Sequence, residues 1–333
     1  MTPSFAVVIP TFQRPVTLFR VLEALGLQRD APEFEVVVVD DGSADETPQL
    51  LARYRPSYPF RFFTQSNSGP AGARNRGIEE ARAPLILFLG DDTVPEPPLL
   101  SVHARAHRER SADRVAVLGY TTWPEDRRVT PFLHHINEYG LQFGYGLIED
   151  PESVPFNFFY TSNISLSRSL LYEADLFDTT FPHAAWEDIE IAYRLTRRGM
   201  RIVYRPEAVA RHYHEISFAS FRMRQANSGE SAAVFYEKHP ELADFLGVAE
   251  ALSFPQRQTL LGRLQAFWAG LAEQWELPGG RRAIERVLRE DYLRGLKRAL
   301  ADGGSHRSLG GDALTPAEGT RLDETRGATS RSS

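Results

Sequence analysis

The sequence contains no cysteine. Disulfides and thiolate metal sites are excluded, so any bound metal must be held by carboxylates, imidazoles and water. This composition suits a reducing compartment such as the cytoplasm. No stretch approaches the roughly 18 consecutive apolar residues of a membrane span. The opening residues, Met1-Thr2-Pro3-Ser4-Phe5, lack a basic region followed by a long apolar segment, so no secretory signal is expected. Charge of one sign is also lacking. The 38 Lys and Arg against 44 Asp and Glu leave a net charge of −6, which gives no expectation of nucleic-acid binding. A Gly-x-Gly-x-x-Gly turn after a strand and a Walker lysine motif are both missing, which argues against dinucleotide and P-loop sites. No internal repeat is visible.

What is present is an ordinary globular composition. Of 333 residues, 42% are hydrophobic, enough for a sizeable core. The first hundred residues alternate strand and helix patterns. Phe5-Ala6-Val7-Val8-Ile9 reads as a strand ended by Pro10, and Leu18, Phe19, Leu22 and Leu25 then share a helix face. Glu35 to Val39 is a second strand, with the unbroken apolar character of a parallel strand covered on both faces. A helix over 44–54, a strand at Phe60-Arg61-Phe62-Phe63, a helix over Ala71 to Ala81 and a strand over Leu85 to Leu89 follow. This order predicts an α/β fold with a Rossmann-like, mostly parallel sheet flanked by helices. Ligands of such sheets bind at the carboxyl ends of the strands, where Thr11, Asp40, Asp41, Asp91 and Asp92 should gather.

The middle is mixed. Val115 to Tyr120, Ile164 to Leu166 and Arg201 to Tyr204 read as strands, and a helix opens near Glu187 and stops at Gly199. Residues 123–158 are rich in Pro, Phe, His and Tyr without a clear period, and read as a substrate-facing loop. Residues 216–301 form a helical C-terminal extension, in which Leu260, Leu264, Phe267, Trp268 and Leu271 share one face. The tail 302–333 has a disordered composition.

Asp91 and Asp92 end a buried apolar strand. Like charges this close oppose each other's ionisation, and burial adds to the cost. A divalent cation removes both problems; a plain turn cap is the other reading. Arg74 follows a glycine-rich turn that opens a helix, where it could meet phosphate oxygens or serve in a surface ion pair. His212 and His214 share a face at a strand end, as metal ligands or as surface residues. Glu187 and Asp188 suit the first turn of a helix, and Trp186 could be a sugar platform or core.

Four clusters carry a family resemblance: Val8-Ile9-Pro10-Thr11 with Gln13-Arg14-Pro15; Val39-Asp40-Asp41-Gly42-Ser43; Asn67 to Gly77; and Gly90-Asp91-Asp92. Trp186-Glu187-Asp188 and His212-Tyr213-His214 continue it. In order and spacing the chain resembles the family 2 glycosyltransferases, over roughly residues 5–215. The resemblance implies a GT-A catalytic domain over 1–215, with a nucleotide-binding half at 1–110 and an acceptor half at 111–215. It implies inverting transfer from a nucleotide-diphosphate sugar, UDP being the commonest nucleotide, to a hydroxyl on a glycan, a lipid-linked or a small-molecule acceptor. Pro10 and Thr11 would lie beside base and ribose, and Asp41, rather than Asp40, would contact the base. Arg74 and Asn75 would sit near the donor, and Asp188 would be the general base. Trp186 and Glu187 would face the acceptor. Mn²⁺ or Mg²⁺ would be held by Asp92 and His212, with His214 as a substitute. The family's motif usually has an acid where this chain has Gly90, which turns Asp91 toward the ribose or a water. Two other functions fit less of this pattern: a sugar-phosphate nucleotidyltransferase, and a non-catalytic sugar-nucleotide binding protein. The C-terminal arginines, Arg281 to Arg298, suit peripheral contact with an anionic membrane or a solvated face of a packed helix.

Overall fold

The computed structural model describes residues 4–109, 114–255, 259–274, 277 and 280–306. One eight-stranded sheet organises them. Its strands are β1 (Phe5–Thr11), β2 (Phe34–Asp40), β3 (Phe60–Thr64), β4 (Leu85–Leu89), β5 (Thr93–Pro95), β6 (Val115–Thr122), β7 (Asn163–Ser167) and β8 (Arg201–His212), in the spatial order β3-β2-β1-β4-β7-β6-β8-β5. The β1–β2, β2–β3, β1–β4 and β6–β8 pairings are parallel. Those of β7 with β4 and β6, and of β5 with β8, are antiparallel.

The parallel strands are covered on both faces, as their unbroken apolar runs require. Ala6, Val8, Ile86 and Phe88 enter one core cluster, while Val7, Ile9, Leu87 and Leu89 enter another with Leu18 and Leu22 of the helix Pro15–Leu25. The helix Gly69–Glu80 lies close on β1. A Cβ at Gly77 would stand 2.3 Å from Cγ1 of Val8, so only glycine lets the helix settle there. That helix carries the glycine-rich cluster and is thereby fixed relative to the strand end at Thr11.

Beneath β7, the helix Leu99–Glu109 contributes a buried polar network. His103 bonds Ser165 Oγ at 2.8 Å and Asn163 Oδ1 at 3.0 Å, and His107 bonds the same Ser165 Oγ at 2.8 Å. Burial pushes the His103 pKa down to about 3 and that of His107 to about 4, so both rings are neutral.

β8 is longer than its sequence pattern suggests. Its register against β6 shifts between Gly119 and Tyr120, and Pro206 sits where the ladder skips, a position that tolerates a missing N–H. Past this irregularity β8 pairs with β5, setting Thr93 opposite His212.

Three expectations are corrected. Residues 123–158 are not without regular structure: Thr130 caps a helix, Pro131–Glu138, by accepting from Leu133 N. The second helix, expected over 44–54 with a start near Asp45-Glu46, runs from Thr47 to Arg53 with Glu46 at its N-cap. The last helix, Gly280–His306, runs past residue 302, and the tail from 307 on lies outside the described residues.

The helices Phe218–Lys238, Leu260–Gln274 and Gly280–His306 form a bundle beside the sheet. Ile284, Val287 and Leu288 of the last helix are buried against Phe218 and Phe221, so its apolar face points inward. Its cations are mostly paired: Arg281 with Glu285, Arg289 with Glu250, Arg294 with Glu290 and Arg298 with Glu230. This helix is a packed element with a solvated face. Among the described residues no helix is long and apolar enough to cross a membrane.

Candidate active site

The carboxyl ends of β1, β2 and β4 open on one cleft of about 800 Å³. Pro10 and Thr11 line it at the end of β1. The two aspartates after β2 separate. Asp40 is fully buried and accepts from Ser43 N through Oδ1, which makes it the cap of the turn. Asp41 lines the cleft, and its Oδ1 accepts from Gln65 Nε2 at 2.8 Å and Ser68 N at 2.9 Å. Its Oδ2 meets no donor among the described residues.

The loop after β4 is tight. A Cβ at Gly90 would lie 2.7 Å from Thr93 Oγ1 and 3.0 Å from Asp92 Oδ1. A side chain at position 90 would require Thr93 and Asp92 to shift, so glycine suits this loop as it stands. Asp91 accepts from Thr11 Oγ1 at 2.8 Å. Burial and the neighbouring Asp92 push its pKa up to about 6. Burial acts the same way on Asp92, but His212, His214 and Arg14 outweigh it and hold that carboxyl well below the usual range. Arg14 Nη1 lies 2.6 Å from Asp92 Oδ2 and 3.4 Å from Asp91 Oδ1. Arg14 stands in a quoted motif, but nothing in the motif assigns it this place.

The β5–β8 pairing brings the imidazoles in. Tyr213 N donates to Asp92 O at 2.7 Å. His212 Nε2 lies 3.5 Å from Asp92 Oδ1, and His214 Nδ1 lies 3.4 Å from Asp92 Oδ2. The two rings stack with centroids 5.5 Å apart. Ligand atoms of Asp92, His212 and His214 all fall within 4.8 Å of one another. His214, expected as a substitute for His212, stands beside it in the same group. One carboxylate and two imidazoles, with room for water, form a donor set that suits a divalent transition ion. A second observation fits the same reading. Gln142 Nε2 lies 3.3 Å from His212 Nδ1, while Gln142 Oε1 is a buried acceptor with no partner. Turning that amide would let Gln142 Oε1 accept from His212 Nδ1–H and leave the lone pair of His212 Nε2 free for a metal.

Asp188 opens the helix Glu187–Arg197 on another side of the cleft. Burial and the neighbouring Glu187 push its pKa up to about 7, while Arg74 and the Ile189 N–H act in the opposite sense. Trp186, just before the pair, adopts φ 73°, a left-handed conformation that bulky residues rarely take. Its ring is held by Phe235, Phe245 and Tyr292, and its Nε1 donates to Ser228 O at 2.9 Å. The helical bundle thus sets the direction in which Glu187 and Asp188 leave the loop.

Arg74 is only 12% exposed and pairs with Glu187 at 2.8 Å, so it is not a surface ion pair. Both residues line the cleft, and each keeps one buried polar atom without a partner, Arg74 Nε and Glu187 Oε2. Asn75 is placed elsewhere. Its amide closes a two-way clamp on the backbone of Phe177, at 2.8 and 2.9 Å, and it does not line the cleft.

Arg224, on the helix Phe218–Lys238, was not singled out by any motif. It lines the cleft and makes no hydrogen bond or ion pair among the described residues. Arg224 keeps an exposed surface, but desolvation where it enters the cleft lowers its pKa, while Asp188, Glu187 and Asp92 act on it in the opposite direction. The cleft therefore holds a cation facing both acidic groups.

Comparison with known proteins bears on the family and the fold. Residues 6–173 match the Glycosyl transferase family 2 profile. A validoxylamine A glucosyltransferase of Streptomyces hygroscopicus subsp. limoneus is 32% identical over 267 residues, covering 72% of this chain and 58% of the relative. The hyaluronan synthase of Pasteurella multocida is 27% identical over 223 residues, 58% of this chain and 23% of the relative. The chain thus spans only part of the length of the curated relatives it matches. Among solved structures, the mannosyltransferase PcManGT of Pyrobaculum calidifontis, in complex with GDP-Man and Mn²⁺, superposes with a TM-score of 0.60 at 19% identity, over 91% of this chain and 88% of that one. S. aureus TarS 1–349 in complex with UDP-GlcNAc gives 0.52 at 19% identity, over 91% and 92%. The sheet, flanked by helices and followed by a helical C-terminal region, has the GT-A fold. With half of its length matched by the family profile, the chain belongs to glycosyltransferase family 2.

Proposed function

We propose that the protein moves a sugar from a nucleotide-diphosphate sugar to an acceptor hydroxyl with inversion, using a divalent cation. The observation that carries this reading is the shared cleft of about 800 Å³, lined by Asp92 and His212, with His214 beside them, and by the raised-pKa Asp188. Asp41 Oδ2, with Pro10 and Thr11, forms the wall for base and ribose. Asp92, His212 and His214 would hold Mn²⁺ or Mg²⁺, which when bound offsets charge building on the leaving diphosphate. Arg224 and Arg14 supply further positive charge to the same oxygens. Asp188, as carboxylate, takes the proton of the acceptor hydroxyl, whose oxygen attacks the anomeric carbon as the bond to the nucleoside diphosphate breaks. A positioned base of this kind contributes roughly 10²–10⁴-fold.

UDP-sugars are the first donors to test, since S. aureus TarS was solved with UDP-GlcNAc. For the acceptor, validoxylamine A and glycan chains are the first to test, since relatives are named validoxylamine A glucosyltransferase, hyaluronan synthase and chondroitin synthase. The deciding experiment incubates the protein with Mn²⁺ and a panel of nucleotide sugars, and follows nucleoside diphosphate release and product anomeric configuration by NMR. Inverted product with released diphosphate supports the proposal. Retained configuration refutes the mechanism, and pyrophosphate release from a nucleoside triphosphate with sugar phosphate assigns the site to nucleotidyl transfer.

A further inference from the structure

The helix Leu260–Gln274 is turned inside out. Its buried positions are Gly262, Ala266, Ala269 and Ala272, small residues at helical spacing. They seat it closely on the last helix, where a Cβ at Gly280 would meet Ala272 Cβ at 2.6 Å. Its large residues face out: Leu260, Leu261, Leu264 and Phe267 are 58–74% exposed and Trp268 41%. A helix facing only water places such residues inward. An apolar stripe several turns long on a surface marks an interaction site.

The charges beside it point to the partner. Arg263 flanks the stripe, and Arg282 and Arg286 are exposed on the adjoining helix. None of these three makes an ion pair among the described residues, although the chain as a whole carries a net −6. The acids at hand, Glu250, Glu285 and Glu290, are already paired with other arginines. A second copy pairing through the same face would bring unpaired arginines together.

We propose that this face docks on an anionic lipid bilayer. Leu260, Leu264, Phe267 and Trp268 enter the boundary between headgroups and acyl chains, and the free arginines meet lipid phosphates. The contact is peripheral: its apolar part belongs to the helix Leu260–Gln274, and the helix that follows adds only Arg282 and Arg286. Arg281 of that following helix stacks on Tyr139, 5.3 Å from the ring centre. Tyr139 leads into the segment with Leu141 and Leu147, which are exposed at the cleft. Docking therefore holds the cleft near the bilayer, a placement suited to a lipid-borne acceptor. Only that last point rests on the transferase reading.

The test is flotation of the full chain with phosphatidylglycerol and with phosphatidylcholine vesicles at low salt, with light scattering in parallel. The expected result is co-flotation with the anionic vesicles and little with the zwitterionic ones. Both Leu264→Glu/Phe267→Glu and Arg282→Glu/Arg286→Glu should lower vesicle partition by about tenfold or more, with unchanged melting and unchanged nucleotide binding. Absence of flotation with the anionic vesicles, or equal flotation of the variants, overturns the proposal. So does a dimer in solution that Leu264→Glu/Phe267→Glu dissociates, which gives the face to a second copy.

Discussion

Arg14 Nη1 stands 2.6 Å from Asp92 Oδ2, on the carboxylate that also faces His212 and His214. The guanidinium and a divalent cation would compete for that oxygen. Arg14→Ala should therefore tighten Mn²⁺ binding in the absence of donor, by several-fold, and His214→Ala should weaken it by about 10-fold or more. Calorimetric titration with Mn²⁺ checks both. Unchanged affinity in His214→Ala would remove that histidine from the ligand set.

Asp188→Asn keeps the shape of the site and removes the base. We expect transfer to fall by about 10²–10⁴-fold with donor affinity retained. A variant that transfers sugar at the wild-type rate would falsify the assignment.

The pH profile follows from the same residue. Asp188 must be ionised to accept a proton, and its pKa is raised to about 7, so the rate should climb as pH rises through about 7. Glu187 is a cause of that rise, so Glu187→Gln should move the limb to lower pH. A limb that stays in place in the variant would separate the ionisation from Asp188.

Arg224→Ala should raise the donor KM and lower kcat by about tenfold or more, since a cation with no ion pair among the described residues, stacked only on the Phe221 ring, is lost from the cleft. Arg224→Lys should recover part of this. The expected contrast is with Arg222→Ala, one residue pair away on the same helix, whose side chain is already engaged with Asp291 at 2.7 Å. Equal kinetic losses in both would mean that Arg224 acts only through the fold.

His103 and His107 predict an acid-sensitive core. The folded protein holds both rings neutral, with pKa values near 3 and 4, whereas the unfolded chain protonates them near 6.5. Their contribution is complete above about 6.5 and is lost as pH falls toward the folded values. At pH 5 the loss is about 2 kcal/mol for His103. Melting temperature measured from pH 7.5 to 5 should fall, and less steeply in His103→Gln. A flat profile in the wild type would contradict the buried neutral assignment.

The parallel half of the sheet was legible because its strands are apolar throughout and its helices carry clear periods. So was the gathering of Thr11, Asp41, Asp91 and Asp92, since strand ends collect on one edge. The residue types alone did not divide Asp40 from Asp41, a choice that rested on the family resemblance; the turn geometry sets Ser43 N on Asp40. Nor could the sequence show how little room position 90 has, with a Cβ there 2.7 Å from Thr93 Oγ1. The helix Pro131–Glu138 carried readable marks, a Thr130 cap and Pro131 at its first turn, hidden among irregular aromatic neighbours. Arg224 had no mark, because its role comes from where the bundle packs. The stripe from Leu260 to Leu271 was legible as one face, but periodicity does not tell which way a face points.

The Thr93–His212 strand pairing has a consequence for how such a chain can be cut and recombined. The family profile ends at residue 173, yet Asp188, His212, His214 and Arg224 all lie beyond it. A three-residue edge strand just after Asp92 is zipped onto a strand that closes more than a hundred residues later. A donor-side module grafted from a relative would bring Asp92 without its imidazoles unless the strand ending at His212 came with it. The natural unit of exchange therefore ends in the helical bundle, not at the limit of the recognisable motif block.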